Sequence, residues 1–377
     1  MSNPNKDYRE DPKRAIYISG KIDQQLVDKL SPQINELRLE SVDPITAYVD
    51  SPGGTLMLAE TIRHHITAPN PDGKRCRLIT VVTSRAASAA ADFVALGDYS
   101  IAYPYSDLVY HGTRTTGEGL TTELATQVAR NLQATNEACA GRLARRAFPR
   151  FVLRLAQLKN EFTEYIEGRP LRVLTKALQS NLSPANARLV QEAMKKQGTI
   201  GDLGSSVWAH IAKFKNGGTN LSVPQFEGEM LRSIVKYKLK LHKEERWLLS
   251  GSGLQEVTED FNLLYDFYFG SQKSDMEKWN RMFGELFLSD PQKLEYAALA
   301  GTIEEKLNWV VQKSALKLQA LWYLMMSICR LLQGADYMLP ADEAYWLGLI
   351  DELPGSGLPC LRTAAEAQGP AAVPGQG

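Results

Sequence analysis

A chain of 377 residues, 44% of them hydrophobic, can bury one large core or two ordinary ones. Its 43 Lys and Arg balance 43 Asp and Glu, so no global charge favours nucleic acid or an anionic membrane. Four cysteines (Cys76, Cys139, Cys329, Cys360) lie far apart without CxxC or metal-ligand spacing, and no metal or other cofactor is expected. With no signal-peptide pattern, this reads as a cytoplasmic protein with reduced thiols. The most apolar stretch, 318–332, is bounded by Lys317 and interrupted by Arg330, as in a buried helix and not a membrane span.

In chain order, residues 1–13 are polar with two prolines and read as a flexible arm. Residues 15–18 form a short strand ended by Gly20, and 24–39 carry helical spacing at Leu26, Val27, Leu30, Ile34 and Leu37. A strand at 45–49 is followed by an Asp50-Ser51-Pro52-Gly53-Gly54 turn and a helix over 55–66. The β-branched run 78–83 is typical of a buried parallel strand. A small-residue helix over 86–96 follows, with Gly97 placed to terminate it. Two short strands bracket Pro104, and the second, 108–110, delivers His111. Strands alternating with helices predict βαβ units and parallel pairing.

Beyond His111 the pattern becomes helical. Residues 120–147 form one long helix, and nearly every segment from there to 332 is predicted helical. One helix is well punctuated, with Ser183 as N-cap, Pro184 in the first turn and Gly198 as its stop. Gly217-Gly218 and 250–253 read as hinges. Trp208, Trp247, Trp279, Trp309 and Trp322 are expected mainly as core residues. The alternating lysines of 236–243 read as a solvated face. Residues 341–350 are predicted as a short helix and strand, and the Pro/Gly/Ala-rich segment from Pro354 as disordered.

Three features carry chemistry together. Ser88 sits where a helix begins after a strand, so N–H groups and the helix dipole favour negative charge near its hydroxyl. Gly53 and Gly54 allow a substrate carbonyl to approach the backbone. His111 ends the next strand and has a base's chemistry. Taken singly, each has a plain structural explanation: a small packed residue, an ordinary turn, a strand-end histidine. Together they are a nucleophile, an oxyanion hole and a general base for acyl transfer.

Order and flanks decide between these readings. The stretches Arg14-Ala-Ile-Tyr-Ile-Ser-Gly-Lys-Ile-Asp23, Tyr48-Val-Asp-Ser-Pro-Gly-Gly54, Arg85-Ala-Ala-Ser88 and Leu108-Val-Tyr-His111 closely resemble the proteolytic subunit of the Clp protease. The likeness resumes in Leu339-Pro-Ala-Asp-Glu-Ala-Tyr-Trp-Leu-Gly-Leu-Ile-Asp351. It implies the α/β Clp/crotonase superfold of stacked ββα units, here with a large all-α insertion. It also implies a serine peptidase acting on peptides or unfolded proteins, with Ser88 as nucleophile and His111 as base. Gly53 or Gly54 and the N–H of Ala89 would form the oxyanion hole. A homo-oligomeric ring and an AAA+ unfoldase partner are further implications. The expected organisation is an arm (1–13), a core with the first helix of the family's handle (14–147), an insertion (148–332), a closing part of the core (333–353) and a tail (354–377).

The chain departs from that pattern at the triad acid. Counting back from the closing motif places Leu332 where the family has its catalytic aspartate, and Asp336 matches a second, non-catalytic aspartate. Three alternatives stand: Asp336 takes the role through a shifted loop; a Ser–His dyad works alone or with a backbone carbonyl orienting His111; or the site is vestigial and the insertion binds a partner. Arg85 cannot replace the lysine of Ser–Lys hydrolases, because a guanidinium is not a base at neutral pH. An acyl-CoA enzyme on the same superfold is a rival, but the Ser–His pair argues for hydrolysis.

Overall fold

The computed structural model describes residues 10–115, 119, 121–157, 247–248, 251–269, 284, 288, 290–334 and 336–358. The helix predicted from Ser183, the Gly217-Gly218 hinge, the lysine stretch 236–243, Trp208, Trp279 and Cys360 lie outside them. The chain divides into two compact units. The first comprises Met1–Phe151, Leu263–Gln272 and Leu332–Gly377, and the second Val152–Asn262 and Lys273–Leu331.

The first unit is built on a mixed sheet. Its strands are β1 (Ala15–Ile22), β2 (Ile45–Gly54), β3 (Leu78–Ala87), β4 (Tyr99–Ala102), β5 (Asp107–Tyr110) and β6 (Tyr337–Pro340). The order is β1-β2-β3-β5-β6, with β4 beside β3; only the β5–β6 pair is antiparallel. Besides β2, β3 has two neighbours: Ile79–Val82 pair with β4, and Arg85–Ala87 pair with β5. Residues Leu78–Val82 are fully buried, as a continuous apolar run with helices on its faces should be.

Helices α1 (Gln24–Glu40), α2 (Leu56–Thr67) and α3 (Ala89–Ala95) follow β1, β2 and β3 in turn. Asp23 caps α1 by accepting from the Leu26 amide, and all five apolar positions read from the spacing are buried. The long helix α4 (Thr122–Gln157) begins close to where the sequence placed it and runs further.

Several boundaries differ from expectation. β1 passes through Gly20, which sits at φ +76° where the register shifts, so this glycine makes a bulge and does not end the strand. The Ser51–Gly54 segment is strand and not turn, paired on both sides after a shift past Val49. The helix expected from residue 86 starts at Ala89, because Arg85–Ala87 are taken by β5. Arm residues also attach to the core: Pro12–Arg14 form a 3₁₀ turn, and the Asp11 amide donates to Thr46 Oγ1. At the far end, α9 (Ala341–Trp346) forms, but the strand expected after it is reduced to a single bridge between Glu352 and Ile101.

Charge holds the closing segment in place. Asp351, 1% exposed, accepts from the Ser100 amide, from Arg146 Nη2 at 3.2 Å and from Arg150 Nε at 2.6 Å. The two arginines lie one turn apart on α4, so one face of that helix is tied to one carboxylate.

The second unit is helical among its described residues. Besides part of α5 (Gly251–Phe269), it contains α6 (Asp290–Ala297), α7 (Ile303–Lys313) and most of α8 (Ala315–Leu332). Gly251–Gly253, expected as part of a loop or hinge, are the first residues of α5. A capping box between Thr302 and Glu305 opens α7. Trp247 and Trp322 are buried with ring centroids 4.6 Å apart, so these two are core residues. No described helix is long and apolar enough to cross a membrane.

Candidate active site

Ser88 stands at the junction of β3 and α3 with φ +56° and ψ −127°. Among the described residues it is the single non-glycine residue at positive φ. Such a backbone costs on the order of 1–3 kcal/mol and persists only where the surroundings enforce it. Here they do. The Ser88 amide donates to Val109 O at 2.7 Å, and its carbonyl accepts from Ala91 and Asp92 as the first helical turn closes. The hydroxyl caps no helical amide, so the N–H groups of Ala89 and Ala90 keep the unpaired state of any helix start.

Gly53 packs against this elbow, and Gly54 against β1. A Cβ on Gly53 would lie 2.3 Å from Ala87 O and 2.7 Å from Ser88 Cβ, and one on Gly54 would lie 2.2 Å from Ile22 O. Both glycines also have positive φ. Ser51 pins this segment: its hydroxyl donates to Gly20 O at 2.6 Å and accepts from the Gly53 amide at 3.0 Å. The Gly53 N–H is therefore already engaged, a constraint the sequence reading of the oxyanion hole missed. Gly53→Ala should lower the denaturant midpoint and slow acylation of Ser88 by about 10²-fold, the scale of a 1 Å misplacement. Urea unfolding and probe-labelling rates measure both.

Register sets the histidine at the end of the strand next to the serine's own. Ala87 pairs with Val109, so Ser88 and Tyr110 leave the sheet side by side and His111 follows. Its Nδ1 lies 2.8 Å from Gly112 O. A carbonyl only accepts, so this bond places the proton on Nδ1 and leaves a lone pair on Nε2. The turn is clamped in its place. Thr113 N–H donates to Asn136 Oδ1 at 2.7 Å, and a Cβ on Gly112 would lie 2.7 Å from Gln333 O.

Asp336 is placed elsewhere. Its exposed carboxylate is ion-paired with Arg114, while Leu332, at the family's aspartate position, is completely buried. So Ser88, Gly53 and the start of α3 at Ala89 converge, His111 leaves the adjoining strand, and Asp336 points into an ion pair of its own.

A buried polar group lies beneath the site. Asp92 is a lone acid in an otherwise apolar α3, and Gln333 Nε2 donates to its Oδ1 at 3.0 Å. Burial pushes its carboxyl up to about 7; Glu60 adds to the rise, and Arg142 and the Gln333 bond oppose it. Arg142 donates to Glu60 Oε1 and to Cys139 Sγ. The Cys139 thiol is raised, first by burial and then by Asp92. An acid within an apolar run was the sequence signal for this group. Among the described residues no cluster of three His, Cys, Asp or Glu is placed to hold a metal.

A strained serine thus stands between a parallel strand and a helix, with a histidine at the end of the adjoining strand, in a mixed α/β domain. Residues 8–147 match the family model described as Clp protease, so this α/β part of the chain is similar to that family. The match ends within α4, so β6 and α9, which complete the sheet, lie beyond it. No curated protein matches the chain.

Proposed function

We propose that this chain is a serine peptidase of the Clp type that hydrolyses peptide bonds through Ser88 and His111. The observation that carries the reading is the positive-φ backbone at Ser88, a strain that the fold maintains at the serine to which the sequence resemblance assigns the nucleophile's role. His111 Nε2 takes the proton from the Ser88 hydroxyl as it attacks the scissile carbonyl, then delivers it to the leaving amine. The Ala89 amide and the Gly53-Gly54 backbone receive the developing oxyanion, with the Gly53 N–H shared with Ser51.

In this reading the third role belongs to the Gly112 carbonyl and not to Asp336. It fixes the tautomer that a triad aspartate would fix, without that residue's negative charge. The substrate is a peptide or unfolded protein, and a homo-oligomeric ring fed by an AAA+ unfoldase is the assembly that the likeness to the Clp protease family favours.

The test is covalent labelling by a fluorophosphonate probe. Stoichiometric label that disappears in Ser88→Ala is expected; no label between pH 6 and 9 would refute the reading. The buried Leu332 favours one rival, a vestigial site on a scaffold whose helical segment binds a partner. That rival predicts an unlabelled chain that keeps its partner in Ser88→Ala.

A further inference from the structure

We propose that Asp92 and Gln333 are positioning residues for His111, linking the nucleophile's helix to the turn that orients the base. This rests on the Ser88–His111 reading for its catalytic consequence, though not for its geometry. Asp92 lies in the second turn of the helix that Ser88 opens, and its backbone N–H is bonded to Ser88 O. Gln333 touches both sides of the site. Its side-chain amide holds Asp92 at 3.0 Å, and its own carbonyl packs where Gly112 has no room for a Cβ. Gly112 O in turn holds Nδ1 of His111. The chain of contacts runs from Ser88 through Asp92, Gln333 and Gly112 to His111 without leaving the protein.

Two arguments separate this pair from ordinary core polarity. Buried carboxyl–amide pairs are rarely more stable than apolar groups of the same shape, and every other α3 residue is apolar. Second, Gln333 directly follows Leu332, the position where the family pattern has its aspartate. The chain has lost the acid that would touch His111 and carries instead a buried acid acting through one intermediary. The charged and titratable groups facing Asp92 are Glu60 from α2 and Arg142 and Cys139 from α4.

The experiment uses the full chain labelled with ¹⁵N-histidine, read by NMR for the His111 tautomer, alongside kcat and KM on a fluorogenic peptide. Wild type should show His111 protonated on Nδ1. Asp92→Ala and Gln333→Met should give mixed tautomers and lower kcat about 10- to 100-fold with KM within about twofold, the pattern of a misplaced reacting group. Asp92→Asn, which keeps an acceptor facing Gln333, should restore both readouts.

If the single variants fail to fold, the double variant Asp92→Leu with Gln333→Met replaces the pair by apolar groups of similar size and carries the same expectation. An unchanged tautomer in the folded variants overturns the proposal, whatever the activity. A shifted tautomer in a chain that shows no hydrolysis supports the positioning role and counts against the peptidase reading instead.

Discussion

His111→Ala is expected to lower peptide hydrolysis by about 10³-fold or more, whereas Asp336→Asn leaves kcat/KM within about twofold. The contrast follows from partners. Loss of the acid from a complete triad costs about 10⁴ in rate, with the wrong histidine tautomer as the damage. Here the tautomer is set by Gly112 O, so that fault is avoided, while the stabilising negative charge is missing. On the proposed mechanism the starting rate is therefore low, and removing the base takes away most of what is left. Asp336 is exposed and engaged by Arg114, so neutralising it frees an arginine on the surface and alters little near His111. Initial rates on a fluorogenic peptide decide; a fall of 10² or more in Asp336→Asn would return the third role to that residue.

Asp351→Ala should destabilise the first unit by about 3–5 kcal/mol, read as a lower urea midpoint. The carboxylate is buried and takes three donors: the Ser100 amide and two α4 arginines. Its removal leaves two largely buried guanidinium groups facing each other with their shared counter-charge gone, and a strand amide without its acceptor. Asp351→Asn should cost less, since its amide oxygen can still accept from Ser100 N. Because the arginines belong to α4, near-ultraviolet circular dichroism should also report the loosened helix. A change below 1 kcal/mol would mean that the arginines find other acceptors.

The sequence showed the parts of the site more clearly than their connections. The Val-rich β3, the buried stripe of α1 and the strand before His111 follow local periodicity, and each stands where that periodicity placed it. The extension of β3 through Arg85 did not, because Ser84 and Arg85 are polar and exposed and the pairing with β5 begins only at Arg85. β6 has four residues, too few for an alternating pattern, and its partner lies far upstream. Ser88's positive φ carries no glycine to announce it. Within the site, the Gly53 fit was legible from residue type, while the Asp92–Gln333 bond spans 241 residues and no local rule reaches that far.

The antiparallel pairing of β5 with β6 also fixes a timetable for the nascent chain. Ser88, His111 and strands β1 to β5 leave the ribosome before β6, Gln333 and Asp351, which emerge only after the long intervening segment, 251 residues beyond Ser100 in the case of Asp351. Until then β5 presents an open edge and the arginines of α4 wait for their counter-charge. On the proposed reading, hydrolytic competence waits for those late segments, which keeps an unfinished site from acting on the chains being made around it.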